Sequence, residues 1–215
     1  MTAWPKRWWP GAWLLASLRR FGVDTADVVQ TAGGGTTSVA LVADDGRRAI
    51  VSQPLAFDWS ALDVALARPG GGRAVLYVDG YRAREALDRA RRARAKGLVT
   101  AADLDGCDAG DWSALARFAD AFDVLFLNRG LAERIGGPPD ALAARFVAAG
   151  AAVACVTLGS AGVNVATTEG SAHIGAFDVA VRDTTGAGEV FVGAFLHRYL
   201  AGGGQAPLPA APGSV

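Results

Sequence analysis

Between residues 74 and 157 the sequence alternates four short, unbroken apolar runs with stretches of helical periodicity. This alternation limits the fold more than any other feature. The runs are Ala74–Val78, Leu98–Leu104, Val124–Leu127 and Ala152–Thr157. A strand with one wet face would alternate apolar with polar residues, whereas an unbroken run marks a strand buried on both faces. The intervening segments read as helices: Arg82–Lys96 stopped by Gly97, Trp112–Phe122, and Asp140–Ala149 opened by Pro138-Pro139 and stopped by Gly150. Strands and helices in this order predict an α/β three-layer sandwich, α/β/α, with a mainly parallel sheet.

The flanks read differently. Residues 11–21 predict an amphipathic helix ended by Gly22. Residues 37–42 and 47–52 predict two strands, with Asp44-Asp45-Gly46 as a hairpin turn between them. A short helix is expected over Ser60–Ala67, and Pro69-Gly70-Gly71-Gly72 breaks the chain. Downstream, short strands are expected at 163–167, 172–175 and 178–182. A Gly-rich turn then leads into a helix over Gly186–Leu200. The tail 201–215, rich in Gly and Pro, reads as disordered. Residues 1–10 form an atypical N-terminal segment that matches none of these patterns.

Composition narrows the function classes. The chain has 215 residues, 51% hydrophobic and 20% charged, which suits one packed domain rather than a disordered chain. Its formal net charge is zero, so it has no general attraction to nucleic acid or to an anionic membrane. Two cysteines and two histidines make neither a disulfide framework nor a His/Cys metal cluster. No apolar run reaches the ~18 residues of a membrane span. Lys6 and Arg7 before Ala12–Leu18 faintly imitate a signal peptide. The apolar run is short, however, and Arg19-Arg20 follow it, so a helix and a cytoplasmic location are expected. The predicted helix 82–96 carries seven cations against Glu85 and Asp88, and an acidic stretch follows it. That pairing points to a solvated helix face rather than an anion-binding patch.

The most informative segment is Asp183-Thr184-Thr185-Gly186-Ala187-Gly188-Glu189, where a strand gives way to a helix. Helix starts present unpaired N–H groups, and glycines let the backbone approach a ligand, so Gly186, Ala187 and Gly188 form a candidate anion hole. Glu189 in the first turn would then stand beside a bound phosphoryl group as a proton acceptor. An acid at that place also serves as an ordinary helix cap, although Thr185 to Glu189 is four residues and a capping box needs three. A second segment, Thr157-Leu158-Gly159-Ser160-Ala161-Gly162, places a glycine turn at the C-terminal end of another strand, where doubly wound sheets bind ligands. It also reads as a plain hairpin turn. No G-x-x-x-x-G-K-[ST] occurs, which excludes a P-loop site. Gly33-Gly34-Gly35-Thr36-Thr37 does not have the context of a Rossmann fingerprint.

These segments together resemble the ribokinase-like (PfkB) family of carbohydrate kinases. D-T-T-G-A-G-E-V-F-V-G-A-F at 183–195 carries the resemblance. T-L-G-S-A-G at 157–162, L-F-L-N at 125–128, L-L-A-S-L-R-R-F-G-V-D-T at 14–25 and T-T-S-V-A-L-V-A-D-D-G at 36–46 support it. The resemblance covers most of residues 11–200. It implies a ribokinase-like sandwich with a partial small β lid at about 36–52, and phosphoryl transfer from ATP to a hydroxyl of a sugar or related small alcohol. By resemblance Glu189 is the catalytic base, and Gly186, Ala187 and Gly188 are the anion hole. Asn128, Thr157, Gly159 and Gly162 border ATP. Asp183 and Thr185 match positions that hold a monovalent cation, K+ in some members. Mg2+ accompanies ATP, and the lid implies a homodimer. The resemblance implies no nucleic-acid or membrane partner.

The sequence departs from the family pattern at named places. Glu189 stands where the family carries Asp, and Leu131 stands where N-x-x-E carries Glu. The family's first strands and the helix after Leu200 that holds adenine have no counterpart, so a chain truncated at both ends is expected. The alternative reading is a non-catalytic or truncated relative that retains at most nucleotide binding.

Overall fold

The computed structural model describes residues 10–29, 38–42, 48–52, 58–68, 73–107, 111–204 and 206. Segment 1–9, the Asp44–Gly46 turn, the 69–72 break, the 33–37 glycine run and the tail beyond 206 lie outside the described residues. The chain divides into two compact units, residues 1–69 and 70–215.

In the first unit, helix α1 (Pro10–Arg20) ends at Gly22, whose N–H donates to the Arg19 carbonyl. Strand β1 (Ser38–Val42) pairs antiparallel with β2 (Arg48–Ser52), with Val39 opposite Val51 and Ala40 opposite Ile50. Helix α2 (Ser60–Ala67) follows. The side chains of Val39, Leu41, Ile50 and Val51 are exposed.

The second unit runs β3 (Val75–Val78), α3 (Gly80–Ala83), α4 (Leu87–Ala95), β4 (Val99–Asp103), α5 (Trp112–Ala121) and β5 (Val124–Asn128). It continues through α6 (Arg129–Ile135), α7 (Pro139–Ala148), β6 (Val153–Thr157), a 3-10 turn over 159–161, β7 (Val163–Thr167), β8 (Gly170–Ile174) and α8 (Ala187–Ala201). Six strands form one sheet in the order β3-β4-β5-β6-β7-β8. The first four are parallel; β7 and β8 add antiparallel.

Strand alternation divides the core between the two faces of the sheet. Val124, Phe126, Val153, Cys155, Val163 and Val165 meet Val192, Leu196 and Tyr199 of α8. The intervening positions, Leu125, Leu127, Ala154 and Val156, are equally buried. On their side α4 packs on α5, α5 on α7, and α7 on β6 and β7. Trp112 of α5 meets Phe146 of α7 edge-on at 4.9 Å. The three-layer α/β/α sandwich with a mainly parallel sheet is thus the observed architecture of this unit.

Three local expectations are corrected. The helix expected over 82–96 is broken at 84–86, where the Ala86 N–H is shared between the Arg82 and Ala83 carbonyls. An unforeseen helix, α6, starts directly after β5; the Asn128 side chain caps it by accepting from the Leu131 N–H at 2.8 Å. The strand expected at 178–182 does not form. Its alternation of Phe177, Val179 and Val181 is real, but among the described residues no strand pairs with it, and these side chains are exposed. The cationic helix behaves as expected: Arg91 pairs with Asp88 and Asp120, and Arg94 with Asp123.

Candidate functional site

Four parallel strands end at one edge of the sheet, and the sequence puts a polar residue at nearly every end. Asp79 follows β3, Asp103 ends β4, Asn128 ends β5 and Thr157 ends β6. Register brings them into line: Asp103 lies opposite Phe126, and Asn128 opposite Thr157. The first two exit loops are packed backbone to backbone. A Cβ added at Gly80 would fall 2.1 Å from the Asp105 carbonyl oxygen and 2.6 Å from that of Asp103. Glycine is required there by contact alone.

Helix α8 brings Glu189 to this edge. Phe191, Phe195 and Tyr199, spaced by one turn, form an aromatic row on the helix. Phe126 of β5 meets Phe195 at 5.5 Å and Phe191 at 6.1 Å, both edge-on, and Phe195 stacks on Tyr199 at 6.2 Å. Such a row fixes both the rotation and the axial position of a helix. Glu189 lies two residues before Phe191, so its place depends on this packing.

The start of α8 has the open character that the glycines suggest. Gly186 is the N-cap, with φ 80° and no capping side chain. The Ala187 N–H donates to the Thr184 carbonyl at 3.2 Å, and the Val190 N–H to Gly186 at 3.0 Å. A Cβ at Gly186 or Gly188 would meet nothing within 4 Å. First-turn amides beside such free space can receive an anion. Asp183 turns back on its own loop, its Oδ1 accepting from the Thr185 N–H at 2.8 Å.

Charge gathers around Glu189. Asp103 is pushed up to about 6, first by burial and then by the charges of Asp105, Asp79 and Glu189. Tyr77 on β3 is pushed up to about 12, by burial and by Asp103, Asp79 and Glu189. Glu189 therefore shares an electrostatic environment with two acids from neighbouring strand ends. The sequence reading did not single out Asp79 or Asp103. The available signal was an acid directly after an apolar run, V-L-Y-V-D and V-T-A-A-D, which marks a polar side chain at a strand's C-terminal end.

The second predicted segment lies at the same edge and has two distinct parts. The Thr157 hydroxyl donates to the Leu127 carbonyl at 3.3 Å, linking β6 to β5. A Cβ at Gly159 would meet nothing within 4 Å, whereas one at Gly162 would fall 2.0 Å from the Ile174 carbonyl oxygen. The Gly162 requirement thus comes from the close approach of its chain to the end of β8. Arg129, at the start of α6, donates from Nη2 to the Leu158 carbonyl at 2.9 Å and ties the β5 exit to this turn.

The acidic position of N-x-x-E is filled by Leu131, which is 0% exposed and offers no donor atom. Glu133 is exposed and lies outside that register. Among the described residues, no group of three or more His, Cys, Asp or Glu is arranged to hold a metal ion. These residues do not fit a magnesium ion organised by the protein through that motif.

The family model described as pfkB family carbohydrate kinase matches residues 10–208. A protein of Archaeoglobus fulgidus described as an uncharacterized sugar kinase is 29% identical over 199 residues, covering 89% of this chain and 79% of that protein. Three solved structures share the fold. Aminoimidazole riboside kinase from Salmonella enterica, complexed with aminoimidazole riboside and an ATP analog, is 24% identical with a TM-score of 0.71, covering 91% of this chain and 68% of that one. Ribokinase from Giardia lamblia is 20% identical with a TM-score of 0.72, covering 89% and 63%. Fructokinase from Xylella fastidiosa with bound ATP is 24% identical with a TM-score of 0.69, covering 89% and 65%.

Proposed function

The chain belongs to the pfkB family of carbohydrate kinases, and from that premise we propose that it transfers the γ-phosphoryl group of ATP to a hydroxyl of a sugar or related small alcohol. The observation that carries this reading is the place of Glu189. It stands in the first turn of α8, close enough to the acids at the β3 and β4 ends for its charge to act on Asp103. A carboxylate at that place accepts the proton of an acceptor hydroxyl as its oxygen attacks phosphorus. The new O–P bond forms as the bond to the bridging oxygen breaks, and ATP supplies the group and leaves as ADP.

The anion hole of Gly186, Ala187 and Gly188 faces the charge that develops on the transferred group. Asn128, Thr157, Gly159 and Gly162 border the nucleotide, with Gly159 the open point of the turn. Asp183 and Thr185 present oxygen donors suited to a hard monovalent cation such as K+, with one Asp183 oxygen already engaged by the Thr185 N–H. Magnesium would accompany the nucleotide and neutralise part of its phosphate charge. The exposed hairpin face of Val39, Leu41 and Val51 is assigned to a second copy of the chain, and the cytoplasm is the compartment that supplies ATP.

The test is sugar-dependent ADP release across a panel of aldoses, ketoses and nucleosides. One sugar should support turnover. Glu189→Gln should reduce kcat by about 10²-fold or more, the usual worth of a positioned base; Glu189→Asp should stay within about tenfold. Sugar-dependent turnover that survives Glu189→Gln removes Glu189 from the mechanism. ATP-induced stabilisation without turnover on any sugar would leave a nucleotide-binding relative.

A further inference from the structure

Resting on the kinase reading above, we propose that Arg129 is a polyphosphate-binding residue. It supplies from the protein the positive charge that the Leu131 position cannot organise through a metal. The residues at the strand ends carry the wrong sign for ATP. Asp79, Asp103 and Glu189 are carboxylates gathered at one edge, and their fields add at Asp103 and Tyr77. A polyphosphate entering there meets repulsion from these acids. A cationic side chain on the nucleotide side of the edge offsets it.

Arg129 meets the geometric conditions. It follows Asn128 directly, at the C-terminal end of β5, and its side chain is exposed. One Nη2–H is spent on the Leu158 carbonyl, which docks the guanidinium against the Thr157–Gly162 turn. Arginine carries five N–H donors, so four remain for phosphate oxygens. Among the described residues no carboxylate forms an ion pair with it, in contrast to Arg91 and Arg94 on the outer helix. Arg182, before Asp183, is also exposed, but no hydrogen bond to a described residue holds its guanidinium in place. The tether to Leu158 distinguishes Arg129, because a fixed fork loses less freedom on binding than a free one.

The experiment titrates the full chain with ATP and with adenosine, each in excess EDTA and in excess Mg2+, by calorimetry. The wild type should bind ATP in EDTA within about threefold of its affinity in Mg2+. Arg129→Gln should weaken ATP in EDTA by about tenfold or more and leave adenosine unchanged, and Arg129→Lys should fall between. Unchanged adenosine binding reports an intact turn, and the Lys variant keeps the test open if the Gln variant folds poorly. Equal ATP affinity in wild type and Arg129→Gln overturns the assignment, as does a wild type that binds ATP only with Mg2+. A wild type that binds neither ligand overturns the kinase reading itself, a result distinct from either of these.

Discussion

Strands β5 and β1 have the same length, five residues each, and nearly the same apolar character, V-L-F-L-N against S-V-A-L-V. They end in opposite environments. Val124, Leu125, Phe126 and Leu127 are at most 2% exposed, whereas Val39 is 56% and Leu41 60% exposed. The difference lies in the company each strand keeps. β5 has a parallel partner on each side and helices over both faces; β1 has one antiparallel partner. A two-stranded hairpin has little stability of its own in water. Rigidity is therefore concentrated in the sheet, which carries Asp103, Asn128 and Thr157 at its strand ends, while Glu189 stands on the helix packed against it.

The most severe way to break that contrast is to empty the sheet under α8. Phe126→Ala removes the ring on which both Phe191 and Phe195 rest. Truncation of a buried Phe costs about 3–5 kcal/mol, and urea unfolding should show a loss of that size. Any folded fraction should also lose phosphoryl transfer, because the aromatic row positions Glu189. A loss below about 1 kcal/mol would mean that α8 is held by something else. Next comes Gly162→Ala. Its Cβ would lie 2.0 Å from a backbone oxygen, at a φ of 91°. Backbone on backbone cannot yield cheaply, and a destabilisation of about 2–4 kcal/mol is expected. Gly159→Ala, with φ 63° and open space, should cost only about 1 kcal/mol. Thermal melts of the pair separate the two requirements within one turn.

The sequence was most legible where burial enforced a pattern. Each apolar run from 74 to 157 became a parallel strand within a residue or two of its expected limits, because two covered faces permit only apolar side chains. The 183–189 segment was legible for a different reason: a glycine-rich turn into a helix has few physical uses. What escaped depended on long-range placement. The alternation of Phe177, Val179 and Val181 shows a β-compatible backbone, yet it cannot show whether a partner strand lies alongside. The break at 84–86 falls in a run of Ala and Arg whose local preferences are uniformly helical. Asp79 and Asp103 are common residues in common contexts, and only the register of neighbouring strands makes them neighbours of Glu189.

A smaller effect is expected from Asp103, and it runs opposite to the usual carboxylate. Its folded value, about 6, lies above the 3.8 of an ordinary aspartate carboxyl. Between these values the folded state holds a proton that the unfolded state has released. Stability therefore falls as pH rises from about 4 to about 6, then levels off. Asp103→Asn removes the penalty while its side-chain oxygen can still accept from the Asp105 N–H. Because Asp103 is only partly buried, screening reduces the gain, and about 1 kcal/mol at pH 8 is expected. At pH 4 the variant and wild type should melt together. A variant equally stabilised at both pH values would show that the benefit is packing rather than charge.

The smallest effect should come from the hairpin, and its smallness is informative. Leu41→Thr keeps a residue compatible with a strand and removes apolar surface that is already 60% exposed. In dilute solution the change in stability should stay within about 0.5 kcal/mol, as for surface substitutions in general. If a second copy covers this face, the same variant behaves differently at high concentration. The wild type should then melt higher as concentration rises, because association stabilises the folded state by mass action, and Leu41→Thr should lose that dependence. Melting temperatures that are independent of concentration in both proteins would leave β1 and β2 as a marginal hairpin with no dimer behind it. A large loss in dilute solution would instead mean that Leu41 is covered within the chain, and the contrast between β1 and β5 would no longer hold.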